Sequence, residues 1–166
     1  MCIRDRSITA GGKTVSENFE IKMDPRVNDV TLADMQEKFN LSIQIRDEVS
    51  KANEAVIKIR AIKEKINAEA KAKNTTVSKA NQALITELSA IEENLYQVRN
   101  QSSQDPLNFP IKLNNKLASL MRVVESGDYK PTVGSYKVFE ELKAELALEI
   151  NHLDKVLAQK TIKKYL

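Results

Sequence analysis

The chain has 166 residues, of which 42% are hydrophobic and 30% charged, as is typical of one globular domain or of one domain with an appendage. Its 26 Lys and Arg residues against 23 Asp and Glu leave a net charge of +3, too small to indicate nucleic acid or an anionic membrane as partner. No apolar run approaches the roughly 20 residues of a membrane span. The single cysteine excludes a disulfide framework, and the low aromatic content without Trp favours helices over most β architectures.

The first six residues, MCIRDR, are an unusual start for a protein. They lack the apolar core and small-residue cleavage site of a secretory signal peptide. The same letters resemble a translated sequencing-adapter remnant of the kind found at the front of metagenomic assemblies. We therefore interpret residues 1–6 as an assembly artefact, with a genuine short leader as the alternative. If they are an artefact, Cys2 carries no redox information and the natural protein extends further upstream.

The stretch from Ser7 to Met23 has the pattern of β-strands. Gly11 and Gly12 form a two-residue turn of the kind that hairpins use. Phe19–Met23 then alternates apolar and polar residues, which is typical of a half-buried strand, and Pro25 ends it because proline cannot donate to a ladder. A lone hairpin is marginally stable in water. We expect that these strands either lie on the helices or are the last strands of a β-sandwich that has been cut away.

The rest of the chain has the composition and periodicity of four amphipathic helices. Their expected bounds are Leu32 to about Lys73 after a Thr31 N-cap, Val77 to about Arg99, a third helix from Phe109-Pro110 to a Gly127 stop, and a fourth from a Thr132 or Ser135 cap nearly to Lys163. In each helix, apolar residues recur mostly every three or four residues and so form a stripe along one side. In chain order these stripes comprise Met35, Phe39, Ile45, Val49, Ala52, Val56, Ile59, Ile62 and Ile66; Val77, Ala80, Leu84, Leu88, Ile91, Leu95 and Val98; Leu113, Leu117, Leu120 and Val124; and Phe139, Leu142, Leu146, Ile150, Leu153 and Leu157.

Helices with exposed apolar stripes are not stable singly, whereas antiparallel packing buries the four stripes together. We therefore predict a mainly α fold, an up-down bundle of four helices over residues 28–166, with residues 7–27 as an N-terminal β-hairpin, the remnant of a truncated β-sandwich domain. The far end of the first helix, Lys63–Lys73, has few large apolar groups and is expected to protrude. Val49–Asn53 recurs letter for letter as Val77–Asn81. The offset corresponds to whole heptads, so we expect equivalent bundle positions, through duplication or through reuse of a heptad-compatible string.

Little in the sequence indicates catalysis. His152 is the single histidine and lies beside the apolar stripe of the fourth helix, so we interpret it as a boundary residue rather than a catalytic base. Glu92-Glu93 and Glu140-Glu141 are typical of solvated helix faces, whereas a glycosidase needs two carboxylates facing each other across a cleft, roughly 5–10 Å apart. Neither a histidine or cysteine metal motif nor a glycine-rich phosphate loop is present. We predict no catalytic, cofactor-binding or metal-binding residues and no cofactor.

The C-terminal tail, Lys160–Leu166, is basic and carries one aromatic residue. Cations in the last turn of a helix interact favourably with the helix dipole, which is a sufficient explanation for them. A nucleic-acid patch would need more basic residues with interleaved aromatics. The sequence gives little support to a membrane-surface helix, because Lys and Glu alternate along most helix faces.

Two adjoining strings, Phe19–Val27 and Leu32–Phe39, carry a family resemblance. They resemble the C-terminal region of large bacterial secreted proteins with a sortilin-like β-propeller of the Asp-box (BNR) type, often labelled glycosyl hydrolases. In those proteins the final strand of a small β-sandwich leads through a D-P-R junction into a helical region. Leu113–Leu117 and Gly127–Thr132 fit the same pattern, and the resemblance covers about residues 7–157. The chain contains no S-x-D-x-G-x-x-W Asp-box and no propeller repeat, so no active-site residue is carried over.

The resemblance implies a non-catalytic helical accessory module at the C-terminal end of a larger secreted, periplasmic or cell-surface protein, serving packing, spacing or partner contact. The expected partners are upstream β-propeller and β-sandwich domains of the same polypeptide, with another protein as a further candidate. A free-standing helical coiled-coil adaptor or chaperone-like interaction protein is the alternative, and an enzyme in its own right ranks third. Nucleic acid and a membrane span are not expected.

Overall fold

The computed structural model describes residues 2–102 and 104–165. Two compact units divide the chain, Met1–Leu32 and Ala33–Leu166. The first contains a two-stranded sheet and the second contains the helices. The described residues thus confirm the predicted mainly α class with four α-helices and an N-terminal β-hairpin.

The hairpin consists of β1, Cys2–Ala10, and β2, Lys13–Ile21, which pair antiparallel. The connecting glycines, Gly11 and Gly12, both have positive φ angles, 56° and 74°. This conformation favours glycine and gives the turn the twist that matches two right-twisted strands. The predicted turn is confirmed. Because β1 begins at Cys2 rather than Ser7, residues 2–6, which we interpret as an assembly artefact, pair with residues 17–21.

Four helices form the second unit, together with two short 3-10 turns. Their bounds are α1, Leu32–Ala72; α2, Lys79–Leu95; α3, Leu113–Glu125; and α4, Val133–Leu157, with 3-10 turns at Asp105–Leu107 and Lys160–Ile162. Side-chain caps fix two of the starts. Ser78 Oγ accepts from the Asn81 N–H at the start of α2, and Thr132 Oγ1 accepts from the Ser135 N–H at the start of α4. Of the two caps that the sequence left open for α4, Thr132 is the N-cap.

Polar contacts between helices give the direction of each one. Along α1, Arg60 contacts Glu92 of α2, and Asn53 contacts Asn114 of α3. Lys38 Nζ, near the start of α1, donates to the carbonyl of Gly127 beyond the end of α3. As the residue numbers of these contacts rise from α2 to α3, those of their partners on α1 fall from Arg60 to Lys38. Both helices therefore run antiparallel to α1, one after the other along its length.

Contacts with α4 show that it runs antiparallel to this pair. Glu149 of α4 accepts from Asn94, near the end of α2, and His152 lies 3.3 Å from Glu87, nearer its start. Lys116 at the beginning of α3 lies 3.8 Å from Glu145. The chain thus ascends through α1, descends through α2 and α3 in succession, and ascends again through α4.

The stripes of the four helices form one hydrophobic cluster. Its fully buried members include Ile59, Leu88, Leu117, Phe139 and Leu146. Four residues assigned to stripes lie outside it, near helix ends or beyond them, and one of these, Met35, is only partly buried. Phe39 is 58% exposed, Ala80 is exposed in the first turn of α2, and Val98 lies past the end of that helix.

Two helices end earlier than predicted. α2 ends at Leu95 because Tyr96 is extended (φ −137°, ψ 142°), and Gln97 is buried with its amide donating to the Pro110 carbonyl. α4 ends at Leu157 rather than near Lys163, because Gln159 is extended. In both places helix-compatible residues leave the helix to make a tertiary contact.

The expectation that the far end of α1 protrudes is wrong. Ile66 is 1% exposed, and the chain after α4 packs on this end through Ile162 and Tyr165, 0% and 4% exposed. The two copies of the repeated string also differ in position. Ala52 is buried in the middle of α1, whereas the second copy spans the start of α2 and its Ala80 is exposed.

Candidate functional site

The hairpin carries four large apolar side chains on one face, which also bears Lys13, Glu17 and Arg6. Because side chains alternate along a strand, Ile8 and Val15, which are direct partners, share this face with Phe19 and Ile21. Their exposed fractions are 67%, 63%, 41% and 53%. The Arg6 guanidinium lies 6.0 Å from the Phe19 ring centroid on the same face. Four large hydrophobic side chains on so small a sheet leave a surface that packing would stabilise.

The opposite face of the hairpin is polar and satisfies its own hydroxyl groups. Ser7 and Ser16 are hydrogen-bonded through their side chains at 2.7 Å, and Thr9 and Thr14 at 2.8 Å. These cross-strand pairs need no further partner. The hairpin is therefore two-sided: paired hydroxyl groups lie on one face, and the large apolar side chains lie on the other beside charged residues.

A shallow groove of about 520 Å³ lies between α3 and α4. Its apolar wall includes Leu120, Val123, Val138 and Leu142, and Val123 is 63% exposed. Lys116 is the charged residue that lines it, accompanied by serine and threonine hydroxyls; no carboxylate or imidazole lines it in the described part of the chain. Such a lining suits an apolar contact better than acid–base chemistry.

Glu92 is a buried carboxylate between two cations, and its side chain is 6% exposed. Arg60 Nε donates to one carboxylate oxygen at 2.6 Å, and Lys63 Nζ to the other at 3.0 Å. The Arg60 guanidinium also lies 4.9 Å from the Tyr96 ring centroid. Burial by itself would raise the pKa of Glu92, but the hydrogen bonds from Arg60 and Lys63 outweigh it and hold the pKa below the ordinary value of 4.5.

This cluster corrects one sequence expectation. Glu92 was expected on a solvated face, yet it lies one turn from Leu88 and Leu95 and shares their buried side of α2. Glu93, Glu140 and Glu141 are exposed, as expected. Since Glu92 faces two cations rather than a second acid, the arrangement joins α1 to α2 and does not form the carboxylate pair that a glycosidase uses.

A second ionic cluster joins α1 to the chain after α4. Glu69 accepts from Lys164 Nζ at 2.7 Å, from Lys73 Nζ at 2.5 Å and from the Tyr165 hydroxyl at 2.5 Å. The hydrogen bonds from Lys164, Lys73 and Tyr165 lower the pKa of Glu69 to about 2. Asn81 on α2 donates to the same tyrosine hydroxyl at 2.9 Å. The sequence indicated only a basic tail here, because nothing in its spacing shows that Tyr165 folds back.

The remaining candidate residues lie apart from one another. His152 is half exposed beside Glu87 on α2, in agreement with its interpretation as a boundary residue. Gly11 and Gly12 occupy the hairpin turn rather than a phosphate loop. Across residues 2–102 and 104–165, no group of three or more His, Cys, Asp or Glu side chains could hold a metal ion. None of the described helices is long and apolar enough to cross a membrane.

Comparison with known proteins yields no match. No family model fits the chain, and neither the curated proteins nor the solved structures contain a significant relative.

Proposed function

We propose that this chain is a non-catalytic helical accessory module of a larger secreted or cell-surface protein, and that it joins that protein through its N-terminal hairpin. The observation that carries the proposal is the apolar face of the hairpin, formed by Ile8, Val15, Phe19 and Ile21, each 41–67% exposed. A two-stranded sheet of this kind needs a covering layer to be stable. We infer that this layer is the second sheet of a β-sandwich in the same polypeptide.

A sandwich partner is favoured over other layers by the residue types on the face. Ile, Val and Phe on a pleated strand present the shape that interdigitates with a facing sheet about 10 Å away. The polar face with its paired hydroxyls is then the solvent side of the sandwich. The sortilin-like resemblance supports the same arrangement, with a β-propeller further upstream and a periplasmic, secreted or surface location.

The matched pair Val15→Lys and Thr14→Lys tests the role of the hairpin face. These neighbouring residues point to opposite faces of β2, so the substitutions differ in the face that they charge. We expect the unsubstituted chain to self-associate through the uncovered face, and Val15→Lys to abolish this association in analytical ultracentrifugation while Thr14→Lys leaves it intact. The melting temperature of the helices should be unchanged in both variants. A large fall in melting temperature for Val15→Lys alone would show that the hairpin packs on the helices, and would favour the free-standing adaptor.

The larger protein itself is tested by the coding sequence upstream of residue 7. A reading frame that continues upstream into β-strand patterns and Asp-box repeats is the expected result, whereas a nearby start codon would contradict it.

The non-catalytic assignment is tested with aryl glycosides. Turnover by the purified chain that a single Asp or Glu substitution abolishes would overturn it.

The groove between α3 and α4 supports the second candidate, an interaction protein that acts through its helices. Its apolar wall, with Val123 and Val138 partly exposed, is a surface on which another protein could pack. Val123→Lys separates the two functions, because it charges the groove without changing the hairpin. Loss of partner capture from cells by this variant, with capture retained by Val15→Lys, would favour the adaptor.

A further inference from the structure

The residues after α4, 159–165, form a segment that we call the strap. Helix α4 ends at Leu157, and Gln159 is extended (φ −63°, ψ 141°), so the strap is not a continuation of the helix. Its backbone hydrogen bonds are local, such as that from the Tyr165 N–H to the Ile162 carbonyl at 2.8 Å. The Gln159 N–H donates to the Val156 carbonyl of α4 at 3.1 Å, and the backbone hydrogen bonds given for the following residues stay within the strap. Residues 160–165 can therefore leave the bundle by rotation at Gln159 without breaking a hydrogen bond of α4.

The strap is held by a site built from α1 and α2, which we call the strap socket: Lys65, Ile66 and Glu69 with Asn81. Ile162 and Tyr165 are buried in the same hydrophobic cluster as Ile66. Lys65 Nζ donates to the Tyr165 carbonyl at 2.8 Å, which marks the far end of the strap. Each of these polar attachments is made by a side chain of the socket, and none by a backbone ladder.

Three features of the strap are bound by the socket. Ile162 is buried in the hydrophobic cluster that includes Ile66. The Glu69 carboxylate binds the ammonium of Lys164, and Glu69 and Asn81 together bind the hydroxyl of Tyr165, one as acceptor and the other as donor. The hydroxyl is thereby used both as donor and as acceptor, which a phenylalanine could not reproduce. This combination is more selective than the burial of apolar side chains alone.

We propose that the strap socket is a recognition site for a short segment of the pattern Ile-x-Lys-Tyr, which the chain's own strap fills in cis and the strap of a second copy can fill in trans. The second copy is the partner indicated by the structure, because its strap carries the side chains that the socket already binds. The strap follows an extended residue at the end of a helix, and a hinge of this kind lets a segment exchange between identical chains.

The test uses the full-length chain with the strap released by Ile162→Asp and, as probe, a peptide of residues 159–165. Circular dichroism first establishes that the variant is helical. We expect the peptide to bind this variant saturably in titration calorimetry up to millimolar concentration. Binding should weaken about tenfold with a Tyr165→Phe peptide, and about tenfold when Glu69→Gln is added to the variant, because each change removes a charge-assisted hydrogen bond.

The unsubstituted chain should bind the peptide far more weakly, because its own strap competes. In the Val15→Lys background, where the hairpin face no longer associates, raising the concentration of the chain should produce dimers in analytical ultracentrifugation, and adding Ile162→Asp, which releases the strap, should abolish them. Equal binding of the peptide to both proteins, or no binding to a helical Ile162→Asp variant, would overturn the proposal. Loss of the helical signal in that variant would overturn it too, since the strap would then be a fixed part of the core rather than a releasable segment.

Discussion

Two leucines on α4 allow a sharp test of the core. Leu146 lies in the middle of the helix and is fully buried, whereas Leu148, two positions further, is 70% exposed. Substitution of each by Asp makes the same chemical change on the same helix. Only the first places the carboxylate among the packed side chains of the hydrophobic cluster.

The magnitude for Leu146 follows from its complete burial. Truncation to Ala at such a site costs about 2–5 kcal/mol, because the transfer free energy is lost and a cavity is left. Aspartate adds several kcal/mol for an unpaired buried charge. The sum is comparable to the whole free energy of unfolding of a typical domain, about 5–15 kcal/mol. We expect Leu146→Asp to unfold the helices, and Leu148→Asp to change their stability by about 0.5 kcal/mol or less.

Thermal melts followed by circular dichroism at the helix band measure both effects. Leu146→Ala provides an intermediate point, and its expected loss corresponds to a fall in melting temperature of roughly 4–20 °C for a chain of this size. If Leu146→Asp and Leu148→Asp both have the melting temperature of the unsubstituted chain, α4 does not bury the face that contains Leu146. The packing of the four stripes into one cluster would then be wrong.

Three further predictions concern polar groups. Glu92→Gln should destabilise the chain by about 1–3 kcal/mol, since the amide keeps only one acceptor oxygen for the two cations, and Glu92→Leu should cost at least as much because it leaves Arg60 and Lys63 without an acceptor; urea unfolding compares them. Because the folded-state pKa of Glu69 is about 2, below its ordinary 4.5, its stabilising effect is complete above pH 4.5 and is lost as the pH falls towards 2. When the free energy of unfolding is measured from pH 4.5 towards pH 2, Glu69→Gln should lose less of it than the unsubstituted chain does. Thr132→Ala should cost about 1 kcal/mol through loss of the N-cap, with Val133→Ala, at an 87% exposed position, as the control in thermal melts.

Local patterns predicted the elements of this fold well. The start of α1 at Leu32, its end at Ala72 against the expected Lys73, and the turn at Gly11 and Gly12 all follow from residue type and spacing. Each depends on interactions within a few residues, such as apolar spacing or a backbone conformation that glycine tolerates. The buried stripe of α4 from Phe139 to Leu153 was predictable for the same reason.

Features that depend on distant contacts were not predictable. The break at Gln159 and the return of Tyr165 to Glu69 involve residues about a hundred positions apart. The burial of Glu92 depends on Arg60 and Lys63, which lie on another helix. Likewise, the short connections suggested alternating directions, whereas α2 and α3 follow one another along α1. Periodicity defines the face of a helix but not the neighbour that covers it.

The distribution of polar and apolar groups bears on the proposed role in binding. The buried or clustered acids, Glu92 and Glu69, are each neutralised by two cations, which leaves neither available as a general acid or base near neutral pH. Some of the large exposed apolar side chains share a surface, on the hairpin face and in the groove beside Val123, whereas others such as Leu107 and Val133 are exposed elsewhere. Two acidic clusters that are satisfied within the chain, together with apolar side chains exposed on the hairpin face, support the proposal that this face packs against another protein layer. If the hairpin face is that surface, a longer polypeptide that includes the natural upstream sequence should remain monomeric where this chain associates, and continued association of the longer polypeptide would argue against the hairpin as the point of attachment.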